Sequence, residues 1–239
     1  MGAPAGYAPP VEATLALVIV MVFGALAASL HPHWIPRSIV RRMREVEHVE
    51  IGAFPHGALG RVAGELELVE GELTAPLTGR RCAAYEVVVE ELRGAGSRRV
   101  VQEIKAVPFV VVDGTGRALV HPEHADFAIT ADVDDEEAGV LVDPTPRQRD
   151  FLVRSGHASL AAHDSLTVLR FHEGVLAPGE RVAVVGRGVV SIDPSASAEH
   201  SGGYRAPAGA TMVTLASDSR TPLYVSDHPS LLPEGGAAE

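Results

Sequence analysis

Several clusters in this chain have residue types and spacings that could do chemistry. His121-Pro122-Glu123-His124 sets two imidazoles close together, and imidazole is a common zinc ligand. The proline between them breaks a helix, so the two rings cannot share one helical face, and a pair of loop histidines is the simpler reading. Asp132, Asp134 and Glu136 resemble the opening of a calcium loop, but the central Gly and the closing Glu are missing. Asp132–Glu137 therefore reads as a solvated acidic loop. Ser155, His157, His163 and Asp164 supply the residue types of a hydrolase triad without a Gly-x-Ser-x-Gly elbow around any serine. Gly186-Arg187-Gly188 is too short for a dinucleotide fingerprint and lies between strands, not before a helix. Cys82 follows Arg80 and Arg81, whose charges favour a thiolate; a strand cysteine packed as a small hydrophobe is the competing reading. Glu173, just before Gly174, reads as a buried, hydrogen-bonded turn carboxylate. No catalytic residue, metal or cofactor follows from these patterns.

The elements that must position these groups read as strands. From Ile51 onward, short Val-rich runs alternate with Gly, Pro and Asp punctuation. Strands are expected at Arg61–Val69, Cys82–Leu92, Arg99–Val112 (interrupted by Pro108, which suggests an edge or a bulge there), Ala118–His121, Leu166–Glu173, Arg181–Val190, Thr211–Ala216 and Leu223–Ser226. In Cys82–Leu92 the alternation sets Tyr85, Val87 and Val89 on one face and Glu86 and Glu90 on the other, with Val88 breaking the pattern. Asp113-Gly114-Thr115-Gly116 and Pro178-Gly179-Glu180 are turns. Thr145–Gly156 is the candidate helix, with Thr145 as cap and Pro146 in the first turn. Ser195–Gly209 reads as a mobile loop. The expected fold is mainly β, a compact β-barrel or sandwich-like domain with one short helix, preceded by an N-terminal transmembrane helix.

That last element rests on Ala13–Leu30, eighteen residues without a charge, followed by Arg37, Arg41, Arg42 and Arg44. At about 1.5 Å per residue such a helix nearly crosses a ~30 Å hydrocarbon layer. Met1–Pro10 contains no Lys or Arg, so the positive-inside rule places the N-terminus outside and the β domain in the cytosol. Ala25-Leu26-Ala27 mimics a signal cleavage site, but the apolar core is long and no basic residue precedes it. Trp34 suits the interfacial belt. The divisions expected are 1–10 extracytosolic, 11–31 transmembrane, 32–50 basic juxtamembrane, 51–192 β domain, 193–232 flexible loop and closing strands, and 233–239 disordered tail. The net charge is −11, which argues against nucleic acid as a partner. One cysteine excludes an internal disulfide and any zinc site built from several thiolates.

Four segments, in order, carry a family resemblance: Gly60–Gly64 (GRVAG), Ala75–Tyr85 (APLTGRRCAAY), Val107–Gly116 (VPFVVVDGTG) and Glu173–Gly186 (EGVLAPGERVAVVG). Together they resemble the GIDE domain, also called the "beside a membrane" (BAM) domain, of mitochondrial outer-membrane RING-type E3 ubiquitin and SUMO ligases. In those ligases the domain follows one membrane helix and precedes another, and a cytosolic RING completes the chain. A RING holds two zinc ions through many Cys and His ligands, so with one Cys this sequence resembles a stand-alone version without it. What the resemblance implies is recognition of a protein or ligand beside the membrane.

Polar residues adjoining the matched turns are the expected binding positions: Arg80, Arg81, Asp113, His121 and Glu173. The expected partners are the bilayer, through residues 11–31, and a protein partner or a second copy of the chain. Two other functions fit the same features. One is an E3 ubiquitin-ligase-like component that depends on a partner for catalysis. The other is a structural membrane-assembly protein joined through exposed, uncharged strand edges.

Overall fold

The computed structural model describes residues 37–69, 71–94, 96–138, 143–161, 167–192, 211–218 and 221–233. The apolar run, Trp34, His163, Asp164 and the Ser195–Gly209 segment lie outside the described residues. Among the described residues no helix is long and apolar enough to cross a membrane.

Five strands close a barrel: β1 (Leu59–Leu68), β6 (Phe109–Val112), β7 (Arg117–His121), β12 (Thr211–Ala216) and β11 (Arg181–Ile192), with β11 returning to β1. All pairings around this ring are antiparallel except β7 with β12. Counted along the chain, the ring runs first, second, third, fifth, fourth, with third and fifth parallel. This is the Greek-key order of an OB-type barrel. β11 is long enough to serve two neighbours. Arg181–Arg187 pairs with β1, and Arg187–Ile192 pairs with β12. Strand alternation fills the interior: Val62 and Leu66, Phe109 and Val111, Ala118 and Val120, Val182 and Val184, Val213 and Leu215 all pack inside. Phe54 closes one end; its ring occupies the space that a Cβ at Gly60 or Gly188 would need.

Two insertions into the barrel connections build a second sheet. β4 (Ala84–Arg93) and β5 (Gly96–Ala106) lie between β1 and β6; β9 (Ala131–Ala138) and β10 (Leu169–Leu176) lie between β7 and β11. They pair antiparallel in the order β5-β4-β10-β9. A helix, α2 (Pro146–Arg154), covers one face, burying Phe151 and Leu152 against Tyr85, Val87, Val89 and Phe171. Its start follows the sequence signal. Thr145 Oγ1 accepts the Gln148 N–H and Gln148 Oε1 accepts the Thr145 N–H, a complete capping box. Short strands finish the molecule: β2 (Leu73–Thr74) pairs with β3 (Arg81–Cys82), while β13 (Tyr224–Ser226) joins β11 and carries β8 (Asp126–Ala128).

The structure corrects or sharpens the sequence reading in several places. Asp132–Glu137 is not a loop but most of β9. Its backbone is held by β10 and the Asp132 carboxylate accepts the Val175 N–H at 2.8 Å, so tertiary pairing overrides the poor β propensity of acids. Among the described residues there are two α-helices where one short helix was expected in the β domain. Arg37–Arg44 forms α1, whose Val40 and Met43 pack on outward residues Ala63, Ala183 and Val185 of the barrel and on Tyr224. The interruption expected at Pro108 is a complete break: Val107-Pro108 divides Arg99–Val112 into two strands, β5 and β6. Glu86 does not face water: it is 2% exposed, with Val88 and His172 buried on the same face. Both faces of β4 are covered, which accounts for the break in alternation at Val88.

Candidate functional site

The five sequence-derived positions fall into three separate places. Glu173 sits in the middle of β10, fully buried, not at a turn. Its Oε1 accepts the Leu77 N–H at 2.6 Å and its Oε2 accepts the Thr78 N–H at 2.8 Å. The carboxylate thus pins the Ala75–Arg80 loop to the second sheet, and both oxygens are engaged. On the same loop, Arg80 donates to Asp132 and to Glu180, tying β9 to the β10–β11 turn. The Glu180 carboxylate beside it, with Asp132 behind, raises the guanidinium above its ordinary value despite partial burial. Arg81 is paired with Glu72 at the surface, an exposed ion pair of small energetic weight. Cys82 is buried beside these groups. Burial, with the Glu173 charge second, pushes its thiol up to about 11, so Cys82 is the strand cysteine packed as a small hydrophobe and not a thiolate favoured by the adjacent arginines.

Asp113 belongs elsewhere, in the β6–β7 hairpin. Its Oδ1 accepts the Thr115 N–H (2.8 Å), the Gly116 N–H (3.1 Å) and the Thr115 hydroxyl (2.7 Å), and its Oδ2 accepts the Ile51 N–H at 2.7 Å. Burial works against the charge, yet these donors outweigh it and hold the carboxyl below its usual range. Asp113 therefore shapes the turn and fastens the Ile51–Ala53 segment to it. His121 ends β7 opposite Ala216, at the far end of the hairpin from Asp113. The structure brings Arg80 and Glu173 to one loop, with Arg81 next along the chain, and leaves Asp113 and His121 apart from them.

Beside Asp113 the surface opens into a groove of about 540 Å³. Its floor is β1, with Ala63, Glu65 and Glu67 on the outer face and the backbone of Gly64 between them; one wall is Val112–Thr115, and His48, Glu50 and Arg181 complete it. Gly64 lets β6 approach β1 closely here: a Cβ would meet the Val112 carbonyl and come within 3.0 Å of Val111 Cγ1. Glu67 pairs with Arg117 at 2.8 Å, and Glu50 and Glu65 are exposed. The groove is mostly acidic, with Arg181 as counterweight. Asp113 apart, the sequence reading missed these residues. The outward alternation of Glu65 and Glu67 was visible in β1, but the neighbour that turns their face into a groove is supplied by pairing with β6, more than forty residues on.

Among the described residues, no group of three or more His, Cys, Asp and Glu is placed to hold a metal. The carboxylate of Glu173 is taken up by backbone donors, that of Asp113 by backbone donors and the Thr115 hydroxyl, and the Cys82 thiol is held protonated, while Glu50 and Glu65 stand exposed at the groove.

Comparison with known protein families places the middle of the chain. A family model matches residues 86–199, from β4 through the second sheet to β11; the family is GIDE, described as an E3 ubiquitin ligase. GIDE is the family this chain resembles. The matched span is just under half of the chain and includes barrel strands β6, β7 and β11, while β1, the groove floor, precedes it. No curated protein and no solved structure matches the chain.

Proposed function

We propose that this chain is a membrane-anchored GIDE-like recognition module that binds a protein partner beside the bilayer through the β1–β6 groove. The observation that carries the reading is the division of labour among the carboxylates. Those that could have served catalysis are consumed in holding loops, whereas Glu50 and Glu65 stand exposed around a concave surface next to a rigid hairpin. An acid-lined groove of this size suits a basic or amide-rich peptide segment, since charge complementarity steers encounter and fixes register. Residues 11–31 supply the anchor, and the arginines that follow favour an N-outside orientation with the β domain in the cytosol.

The family description also supports a second reading, a ligase-associated component. Under this reading the ubiquitin-transfer chemistry is supplied by a partner; the 239 residues contain one cysteine, too few for a RING zinc pair among them. The test is co-purification from native membranes with wild type and with Glu50→Lys/Glu65→Lys. The expected result is a defined partner lost from the variant while Tm stays within about 2 °C. Recovery of the same partners with both proteins would overturn the groove as the recognition surface. The partner's identity separates the two readings.

A further inference from the structure

Helix α1 carries a second surface, facing away from the barrel. Val40 and Met43 are buried on outward-facing barrel side chains, and Ile39 and Val46 pack beside them. Arg37, Arg41, Arg42 and Arg44 all lie on the solvent side. Their directions are fixed because the apolar face is docked. Arg42 Nη1 donates to the Tyr224 hydroxyl at 3.2 Å and Arg44 Nε to Ser230 Oγ at 3.2 Å, which hold two of the four against the domain. The remainder of the chain beyond Arg44 carries an excess of fourteen acidic charges.

From this arrangement the geometry points to α1 as a contact face for anionic lipid headgroups, which sets the β domain at a defined orientation on the bilayer. Guanidinium groups match phosphate and carboxylate headgroups in charge and hydrogen-bonding geometry. The acidic remainder is repelled by the same surface, so attraction and repulsion both turn α1 toward it. Chain length permits the contact: the six residues between Leu30 and Arg37 span at most about 25 Å when extended. The inference rests on the anchor reading of residues 11–31 for its locality, but its charge dependence can be measured separately.

The experiment places a fluorophore at Ser38→Cys, between the arginines on the exposed side, with Ser97→Cys near the β4–β5 turn as the distant control. Cys82, buried and protonated, stays unlabelled. Full-length protein is reconstituted in phosphatidylcholine vesicles with and without phosphatidylserine, each carrying a headgroup-level quencher, and flotation is recorded in parallel at low and high salt. The expected result is stronger quenching at Ser38→Cys with phosphatidylserine, reversed by salt and absent at Ser97→Cys. In the Arg37→Gln/Arg41→Gln background the contact equilibrium should weaken roughly 25-fold. Equal quenching in the two vesicle types, or no change in that background, overturns the inference. Failure to float on phosphatidylcholine alone defeats the anchor reading instead. In that case, salt-sensitive flotation on phosphatidylserine vesicles still supports the α1 contact, and its absence overturns it too.

Discussion

Replacing Glu173 tests the view that this residue holds a loop and does not bind a partner. The carboxylate is fully buried and each oxygen takes one backbone N–H, from Leu77 and Thr78. Glu173→Gln keeps one acceptor and turns an amide NH₂ toward the other N–H. An orphaned buried donor costs about 1–3 kcal/mol. Loss of the charge on the surviving bond removes about 1 kcal/mol more, net of the relieved burial of an ion. The net loss is roughly 2–4 kcal/mol, a large share of a typical domain stability of about 5–15 kcal/mol. Glu173→Leu orphans both donors and should cost more, roughly 3–5 kcal/mol. At about 2–4 °C per kcal/mol for a domain of this size, the glutamine variant should melt roughly 5–15 °C lower. Hydrogen exchange should show the amides of Leu77 and Thr78 losing protection before those of β4 and β10. Either variant within about 0.5 kcal/mol of wild type would refute the reasoning.

Other groups give independent tests. Asp227 is buried, and burial pushes its carboxyl up to about 6 although the Thr130 N–H donates to it at 2.7 Å. With a folded value above the unfolded ~3.9, its stabilising contribution is complete below pH ~4 and is lost as pH rises through about 6. Unfolding curves from pH 4 to 8 should show that slope in wild type and a flatter one in Asp227→Asn. Asp113 has the opposite sign: its folded value is lowered, so its contribution is present above pH ~4 and disappears as pH falls further. Asp113→Asn should cost about 2–3 kcal/mol at pH 7 by breaking the hairpin's donors, with the difference from wild type shrinking in acid urea titrations. Native Cys82 should react with iodoacetamide at pH 8 at least about 100-fold more slowly than a free thiol, and at the ordinary rate in denaturant, because its thiol is held near 11. Thr145→Ala should cost about 1 kcal/mol by removing the α2 cap, read as a shift in the urea midpoint.

What the sequence made legible was local. The Asp113–Gly116 turn, the Thr145 cap and the Pro178–Glu180 turn were readable because Gly, Pro and capping side chains act within a few residues of themselves. The burial of the Tyr85 ring followed from β4 alternation, while Glu103, which accepts its hydroxyl at 2.7 Å, did not. The failures were set by distant partners. β9 is acidic and was hidden by composition, and its strand character comes from β10. α1 has only eight residues, too short for a convincing helical period, and its apolar side is defined by the barrel beneath it. Glu173 was expected to be buried and hydrogen-bonded, and it is. Its role as a loop anchor depends on donors nearly a hundred residues earlier. The candidate positions adjoined matched motifs, and such motifs here mark turns and their supports. The groove arises from side chains whose meeting is decided by barrel closure.

The most direct test of a recognition module beside the membrane is photo-crosslinking in native membranes from a crosslinking residue at Thr115, on the groove wall, with Arg81 and His121 positions as comparisons. The account predicts one dominant protein adduct from Thr115, weak or absent from the other two and lost on Glu50→Lys/Glu65→Lys. Adducts only with a second copy of the chain, or equal capture from all three positions, would contradict it.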